Sequence, residues 1–117
     1  MHEMGIMHRD IKPENIVLKD KKKLSSLALI DFGLATYVKQ EKYIYYRCGT
    51  PGFIAPEIIR MKKDDLSQYS EICDIFSAGV IFYILIVGQS PFPSSDYKKV
   101  LKLNKRCDID FKIKKFD

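Results

Sequence analysis

Two short apolar runs in the first third of the chain predict a pair of strands. One covers Ile16 to Leu18 and the other covers Leu27 to Ile30, with a polar, lysine-rich stretch from Asp20 to Ser26 between them. Short apolar runs separated by charged and turn-forming residues are typical of strands joined by a turn. We therefore expect two short strands connected by a charged turn.

The longest apolar stretch predicts a buried helix. From about Ser70 to Val87 apolar residues occupy every side of a helix, and Gly88 can form its C-cap. The uninterrupted part, Ile75 to Val87, is too short to cross a bilayer and directly follows Asp74. We expect a core helix rather than a membrane span.

A second, amphipathic helix is expected over Ser95 to Leu103, with Ser94 or Ser95 as its N-cap. Between the first helix and the second, Pro91 and Pro93 exclude helix. Residues 31–57 are rich in turn formers and are predicted to form one long ordered loop, and loops of that length in compact domains are usually functional.

Composition and charge narrow the classes of function. The 117 residues suffice for one domain, and 46% hydrophobic with 30% charged residues is ordinary for a globular protein. The net charge of +5 arises largely from lysines after residue 97, which we interpret as a solvated helix face and tail. A nucleic-acid patch is the alternative, but aromatic residues do not interleave these charges as a stacking platform requires.

Cysteine usage and the N-terminal residues predict location. Cys48, Cys73 and Cys107 are widely spaced and form no CxxC pair, which argues against a zinc site and favours reduced thiols. Residues 1–10 contain no apolar stretch like that of a signal peptide. We expect a cytoplasmic protein, with the nucleus as the alternative, and no membrane or nucleic-acid partner.

The first group of candidate chemical residues lies within the sequence HRDIKPEN at positions 8–15. Asp10 can accept a proton, Lys12 can hold phosphate charge, and Asn15 can ligate a hard cation through its amide oxygen. A second group, Asp31-Phe32-Gly33, follows the predicted second strand, where a carboxylate beside a turn-forming glycine suits a metal ligand. Either group alone could be an unrelated acidic turn. Together they match the parts that phosphoryl transfer needs, which are a bound metal, a charge clamp and an oriented nucleophile.

In type, order and spacing the two groups resemble the signature of the eukaryotic protein kinase large lobe. The resemblance runs from residue 2, expected at the end of a helix, to about Phe92. Residues 48–57, CGTPGFIAPE, resemble the end of an activation segment, and residues 73–85 resemble the central buried helix. The implied fold is mainly α, a kinase-like C-lobe fragment with short β-strands at the catalytic site. Residues 1–117 are then expected to form part of a kinase domain whose complete fold is α+β.

The resemblance implies a role for each matched residue, with ATP and Mg²⁺ as cofactors. Asp10 is expected to orient the substrate hydroxyl and accept its proton, and Lys12 to neutralise the transferring phosphoryl. Asn15 and Asp31 are expected to hold magnesium ions on the phosphates. Thr50 is expected to bridge Asp10 and Lys12, and it favours serine/threonine substrates in proteins.

Other matched positions are expected to support the site. His8 and Phe32 resemble an apolar stack, Val17 the floor under adenine, and Asp74 a buried acceptor for N–H groups of the catalytic loop. Glu57 resembles a residue paired with a downstream arginine that the chain does not reach.

The remaining matches concern activation and substrate choice. Arg9 resembles an arginine that receives an activation-loop phosphate, and Gly33 completes the metal-binding turn. The segment Gly-Thr-Pro-Gly-Phe is similar to the calcium/calmodulin-dependent kinase group, where Glu14 is a candidate contact for a substrate arginine. Ile84 stands where some arginine-directed kinases have a second glutamate.

Departures from the family pattern concern the nucleotide side. The chain has no GxGxxG loop and no Val-Ala-Ile-Lys segment, so we expect the isolated chain to be inactive. Met1 falls inside an expected helix, which suggests a truncated gene model or a partial chain rather than a natural start. The rival interpretation is a pseudokinase-like binding or scaffold protein; a nucleic-acid-binding module has no motif to support it.

Overall fold

The computed structural model describes residues 1–63 and 69–112. In this part of the chain four short strands, β1 to β4, precede three α-helices, α1 to α3. The strands are Ile6–Met7, Ile16–Leu18, Leu27–Leu29 and Thr36–Tyr37, numbered in chain order, and the helices are Pro56–Arg60, Ile72–Val87 and Tyr97–Arg106. None of the described helices is both long and apolar enough to span a membrane.

The predicted pair of strands is confirmed as an antiparallel ladder of β2 and β3. Val17 pairs with Ala28 at its centre, and Ile16 pairs with Leu29 at the end nearest the chemical residues. The connecting turn is closed by Ser26, whose hydroxyl donates to the carbonyl of Asp20 over 2.9 Å. Strand β3 ends at Leu29, one residue earlier than expected.

A second antiparallel pair, β1 with β4, lies where the sequence predicted no strand. Ile6 pairs with Tyr37 and Met7 with Thr36, so the long loop is anchored to the segment that precedes residue 8. The helix end expected at the N-terminus is only a 3-10 turn, His2–Met4, which the left-handed Gly5 (φ 68°) terminates. The chain becomes extended after this glycine and can therefore pair with β4.

The predicted core helix is confirmed as α2, and Gly88 ends it in the left-handed conformation (φ 80°) with its N–H bonded to Ile84 O. Its expected burial on all sides is wrong for the described residues. One stripe, including Cys73, Ser77 and Val80, is buried, whereas Phe82 and Leu85 remain 66% and 77% exposed. An apolar composition permits burial on every side, but only packing partners produce it.

Helix α3 is confirmed, but its predicted N-cap and end are wrong. The cap is Asp96, whose Oδ1 accepts from Lys98 N over 2.8 Å. Ser94 instead accepts from Asp96 N over 3.1 Å and so forms the preceding turn. The helix continues to Arg106 and ends at the left-handed Cys107.

The core forms where the end of the long loop meets α1 and the start of α2. Short helix α1 begins at Pro56, inside the predicted loop, because proline suits the first turn of a helix. The buried side chains of the main cluster are Met7, Tyr43, Ala55, Ile58, Met61, Tyr69 and Cys73. This cluster connects β1 to the middle and the end of the long loop, through Tyr43 and Ala55, and so supports the residues that follow β1.

Candidate active site

Residues 8–15 leave β1 and are held at their start by one buried carboxylate. Asp74, in the first turn of α2 and 1% exposed, accepts from His8 N at 2.7 Å and from Arg9 N at 2.8 Å. The His2 ring also contacts Asp74 Oδ2 at 2.8 Å. The expected contact of Asp74 with backbone N–H groups is therefore present. It supports a left-handed Arg9 (φ 68°), a conformation that costs a non-glycine residue about 1–3 kcal/mol.

Asp10, Lys12 and Thr50 form a hydrogen-bonded triangle. The hydroxyl of Thr50 donates to Asp10 Oδ1 over 2.6 Å. Lys12 Nζ donates to Thr50 Oγ1 over 2.9 Å and lies 3.5 Å from Asp10 Oδ2. The two loops that carry these residues are forty positions apart, and the contact fixes the orientation of the Asp10 carboxylate.

Asn15 closes the same loop from the other side. Its Nδ2 donates to the Asp10 carbonyl at 2.9 Å and to Asp10 Oδ2 at 3.3 Å. This assignment leaves the Asn15 amide oxygen as an available acceptor, because the two groups of a carboxamide are distinguished by their partners. Asn15 is buried, so its orientation is well determined by these bonds.

Asp31 is brought next to Asn15 by the β2–β3 ladder. Ile30 N donates to the Asn15 carbonyl over 2.9 Å, so Asp31 leaves the ladder beside Asn15. The Asp31 carboxylate is exposed; its Oδ1 accepts from Gly33 N over 3.1 Å, and among the described residues it makes no hydrogen bond to Asp10, Lys12 or Thr50. A Cβ at Gly33 would lie 3.1 Å from Asp31 Oδ1, so glycine gives this carboxylate room.

The donor set fits a magnesium ion that is shared with a nucleotide. An Asn amide oxygen and an exposed Asp carboxylate are hard oxygen ligands, and Mg²⁺ typically takes one or two of these and completes its shell with phosphates and water. The described residues contain no group of three or more His, Cys, Asp and Glu side chains that could hold a metal without such help.

His8 lies beneath this turn and is used structurally. Its Nε2 donates to Ile30 O over 3.0 Å, and its Nδ1 accepts from Asp10 N over 3.2 Å. Both ring nitrogens are thus occupied, which argues against His8 as a metal ligand. Phe32 meets the ring edge-to-face at 4.9 Å, so the expected stack of these two residues is present.

The Arg9 guanidinium ties residues 8–15 to the long loop. Its Nε donates to Leu34 O, and its Nη1 donates to Tyr45 O and to the hydroxyl of Tyr69, each over 2.7 Å. The Tyr43 ring lies 5.5 Å from the guanidinium carbon. Arg9 is buried, so neutral oxygens and an aromatic face solvate its charge.

Burial controls the acidity of the groups around Arg9. Desolvation raises the pKa of Tyr69 to about 12, although the neighbouring guanidinium opposes the shift. Desolvation likewise raises the pKa of the Cys48 thiol. Burial and the Asp74 carboxylate raise the pKa of the Cys73 thiol. These thiols are therefore held as neutral groups and are poor nucleophiles.

Three other predicted site residues lie at the edges of the described site. Val17 is 38% exposed in the middle of β2, and Glu57 is exposed in the first turn of α1. Glu14 is exposed and lines a cavity of about 450 Å³ together with Thr50 and Ile84. The cavity thus begins beside the Asp10–Thr50 contact.

Sequence reasoning missed three polar residues that shape the site. Tyr69 contacts Arg9, and Ser77 donates to Phe53 O over 2.7 Å. Asn104 contacts both Gly52 and Ile54. For Asn104 a signal existed, since it interrupts the apolar face of a helix that also carries Val100; Tyr69 and Ser77 offered none.

Comparison with known proteins agrees with the resemblance that the sequence motifs suggested. The sequence profile of the family described as "Protein kinase domain" matches residues 1–116. A "Probable serine/threonine-protein kinase 2" of Plasmodium falciparum is 40% identical over 114 residues, 97% of this chain and 21% of that protein. A "Probable myosin light chain kinase" of Dictyostelium discoideum is 40% identical over 111 residues, 95% of this chain and 35% of that protein.

The chain thus spans only about a fifth to a third of the length of these relatives. The family match, in contrast, covers nearly every residue of the chain, including both groups of chemical residues. The chain therefore belongs to the protein kinase domain family.

Proposed function

We propose that these residues form the catalytic part of the large lobe of a serine/threonine protein kinase, which transfers the γ-phosphoryl group of ATP to serine or threonine in proteins. The observation that carries the proposal is the contact of Thr50 with both Asp10 and Lys12, at 2.6 and 2.9 Å. This contact brings together the proposed base, a cationic side chain and the loop that lines the 450 Å³ cavity.

Asp10 is the proposed base for the substrate hydroxyl. Its carboxylate is held by Thr50 on one oxygen and by Lys12 and Asn15 on the other. A base held in this way needs no reorientation when the hydroxyl of the substrate arrives, which is the main contribution a protein makes to phosphoryl transfer. Lys12 lies close enough to neutralise charge on the transferred group.

Asn15 and Asp31 are the proposed magnesium ligands. A magnesium ion held by these residues would supply charge neutralisation to the phosphates during transfer. Asn15 offers an amide oxygen whose orientation its bonds to Asp10 determine, and Asp31 offers an exposed carboxylate beside it. His8 and Phe32 support this pair from below, and Val17 is the proposed contact for the adenine ring.

The 450 Å³ cavity beside Thr50 is the proposed site for the polypeptide that carries the acceptor hydroxyl. Glu14 lines it and offers a carboxylate to a basic side chain, whereas Ile84 offers an apolar surface. A preference for substrates with a basic residue follows, in keeping with the proposed similarity to the calcium/calmodulin-dependent kinase group.

A second candidate is a binding or scaffold role without catalysis. The exposed apolar side chains of α2, among them Phe82 and Leu85, favour it, since large apolar patches commonly mark interaction sites. The hydrogen-bonded triangle of Asp10, Thr50 and Lys12 has no purpose in such a role.

The test is transfer of labelled phosphate from ATP to a basic serine peptide by the full-length gene product that contains these residues. Replacing Asp10 by Ala should lower turnover by about 10²–10⁴-fold, the range for a lost acid–base group. ATP affinity should change little, because Asp31 rather than Asp10 is the proposed metal ligand.

The matched control is Asp20→Ala, which removes an exposed carboxylate from the β2–β3 turn. It should leave turnover unchanged. Near wild-type turnover of Asp10→Ala would remove Asp10 from the mechanism, and no transfer by the wild-type protein would favour the scaffold role.

A further inference from the structure

Asn104 is a polar residue with no exposed surface in the last turns of α3. Its Oδ1 accepts from Gly52 N over 2.9 Å, and its Nδ2 donates to Ile54 O over 2.7 Å. One carboxamide thus satisfies a donor and an acceptor of a segment fifty positions away. Without Asn104 the buried N–H of Gly52 would lose its partner, at a cost of about 1–3 kcal/mol, and the part-buried carbonyl of Ile54 would lose one as well.

The segment that Asn104 contacts is the one that carries Thr50. Its turn is closed by a bond from Phe53 N to Thr50 O over 3.0 Å. The Phe53 carbonyl accepts from Ser77 of α2 over 2.7 Å. Two helices therefore hold the backbone of residues 50–54, and Asn104 supplies two of its hydrogen bonds.

The same segment forms part of the lining of the 450 Å³ cavity. Residues 50–53 line it together with residues between 90 and 100, which include Tyr97 and Val100 of α3. Asn104 follows Val100 by four residues and so lies on the same face of α3. A Cβ at Gly52 (φ 94°) would lie 3.4 Å from Val100, so the segment packs closely against this helix.

We propose that Asn104 is a positioning residue that sets the width of the 450 Å³ cavity, the proposed site of the protein substrate. It does so by fastening the Thr50 segment to α3, and it thereby controls affinity for the protein substrate. This inference rests on the proposed kinase function. It predicts an effect on the Michaelis constant (KM) for peptide that the KM for ATP does not share, because the two bonds of Asn104 go to Gly52 and Ile54 and neither involves Asn15 or Asp31.

A merely structural role makes a different prediction. Arg60 also ties α1 to α3, through a bond of 2.8 Å to Lys105 O, so α3 keeps an anchor when Asn104 is replaced. If Asn104 only stabilises the packing of α3, another substitution that weakens this packing to the same extent should have the same effect on the KM values. The matched control is Leu103→Ala. Leu103 is a neighbouring, partly buried residue, and none of the described hydrogen bonds joins it to Gly52 or Ile54.

The experiment compares Asn104→Leu with Leu103→Ala in the full-length gene product, using a basic serine peptide and ATP. For Asn104→Leu we expect a peptide KM about tenfold higher, the equivalent of one hydrogen bond at about 1.4 kcal/mol. The ATP KM should stay within about twofold, since no nucleotide contact is altered. Leu103→Ala should lower the melting temperature with both KM values nearly unchanged.

Equal peptide KM values for the two variants would overturn the inference while leaving the kinase function intact. No transfer by the wild-type protein would instead refute the proposed function itself, and with it the substrate role of Asn104. If Asn104→Leu does not fold, Asn104→Asp replaces it. This near-isosteric side chain keeps the acceptor for Gly52 N and loses the donor to Ile54 O, and it should raise the peptide KM in the same direction.

Discussion

The hydroxyl of Tyr69 accepts a hydrogen bond of 2.7 Å from Arg9, sixty positions earlier in the chain. The same guanidinium donates to the carbonyls of Leu34 and Tyr45, both on the long loop. Arg9 was expected to receive a phosphate on that loop. In this structure neutral oxygens hold the Arg9 guanidinium, and these bonds fasten the long loop to residues 8–15.

The first prediction is that the full-length gene product needs no serine or threonine phosphate on residues 31–57 for activity, or else uses a phosphate on Tyr46. The hydroxyl residues of this segment are Thr36, Tyr37, Tyr43, Tyr45, Tyr46 and Thr50. Thr50 is committed to Asp10, and Thr36 is paired in β4. Mass spectrometry of the active protein can map the phosphates, and activity that depends strictly on phospho-Thr36 would contradict the prediction.

The second prediction concerns alkaline pH. Burial raises the pKa of Tyr69 from 10.0 to about 12, so the folded chain holds this proton more tightly than the unfolded chain. The stabilising contribution is complete below about pH 10 and is lost as the pH rises through the folded-state pKa. Urea unfolding between about pH 9 and pH 11 should therefore show a steeper loss of stability for wild type than for Tyr69→Phe.

Tyr37→Phe, which removes an exposed hydroxyl, should retain the wild-type slope. Parallel curves for wild type and Tyr69→Phe would show that Tyr69 is not the group responsible.

The third prediction concerns Asp74. Replacing it by Ala leaves the N–H groups of His8 and Arg9 without their acceptor, and both residues are buried. The free energy of unfolding should fall by about 3 kcal/mol or more. Asp96→Ala removes a carboxylate that also accepts from a backbone N–H, but at an exposed helix cap, and should cost about 1 kcal/mol. Equal losses in the two variants, measured by chemical denaturation, would mean that Asp74 does not hold the catalytic loop.

The fourth prediction is that the 117-residue chain by itself does not phosphorylate protein. It supplies Asp10, Lys12, Asn15 and Asp31, but no Gly-rich loop or strand lysine to anchor ATP. Magnesium held by one or two protein oxygens depends on the phosphates for its other ligands, so the losses compound. The measurement is phosphate transfer from labelled ATP to a basic serine peptide, beside an Asp31→Ala control. Transfer by the wild-type chain but not by the control would refute the prediction.

Local features were readable from the sequence because they depend on residues near one another along the chain. The β2–β3 pair follows from two apolar runs and a charged turn, and α2 with its Gly88 cap follows from an apolar run and a residue free to adopt positive φ. The grouping of Asp10, Lys12 and Asn15 is likewise local. The resemblance also supplied the contact of Thr50 with Asp10, which spacing alone could not.

Only the tertiary structure decided which apolar surfaces are covered and which polar groups meet. The burial of one face of α2 depends on the packing of neighbouring elements, and Phe82 and Val80 look equally suited to a core in the sequence. The bonds of Asn104 to Gly52 and of Tyr69 to Arg9 join residues 52 and 60 positions apart. A side chain shows what it can donate or accept, but its partner is determined by where the fold brings the rest of the backbone.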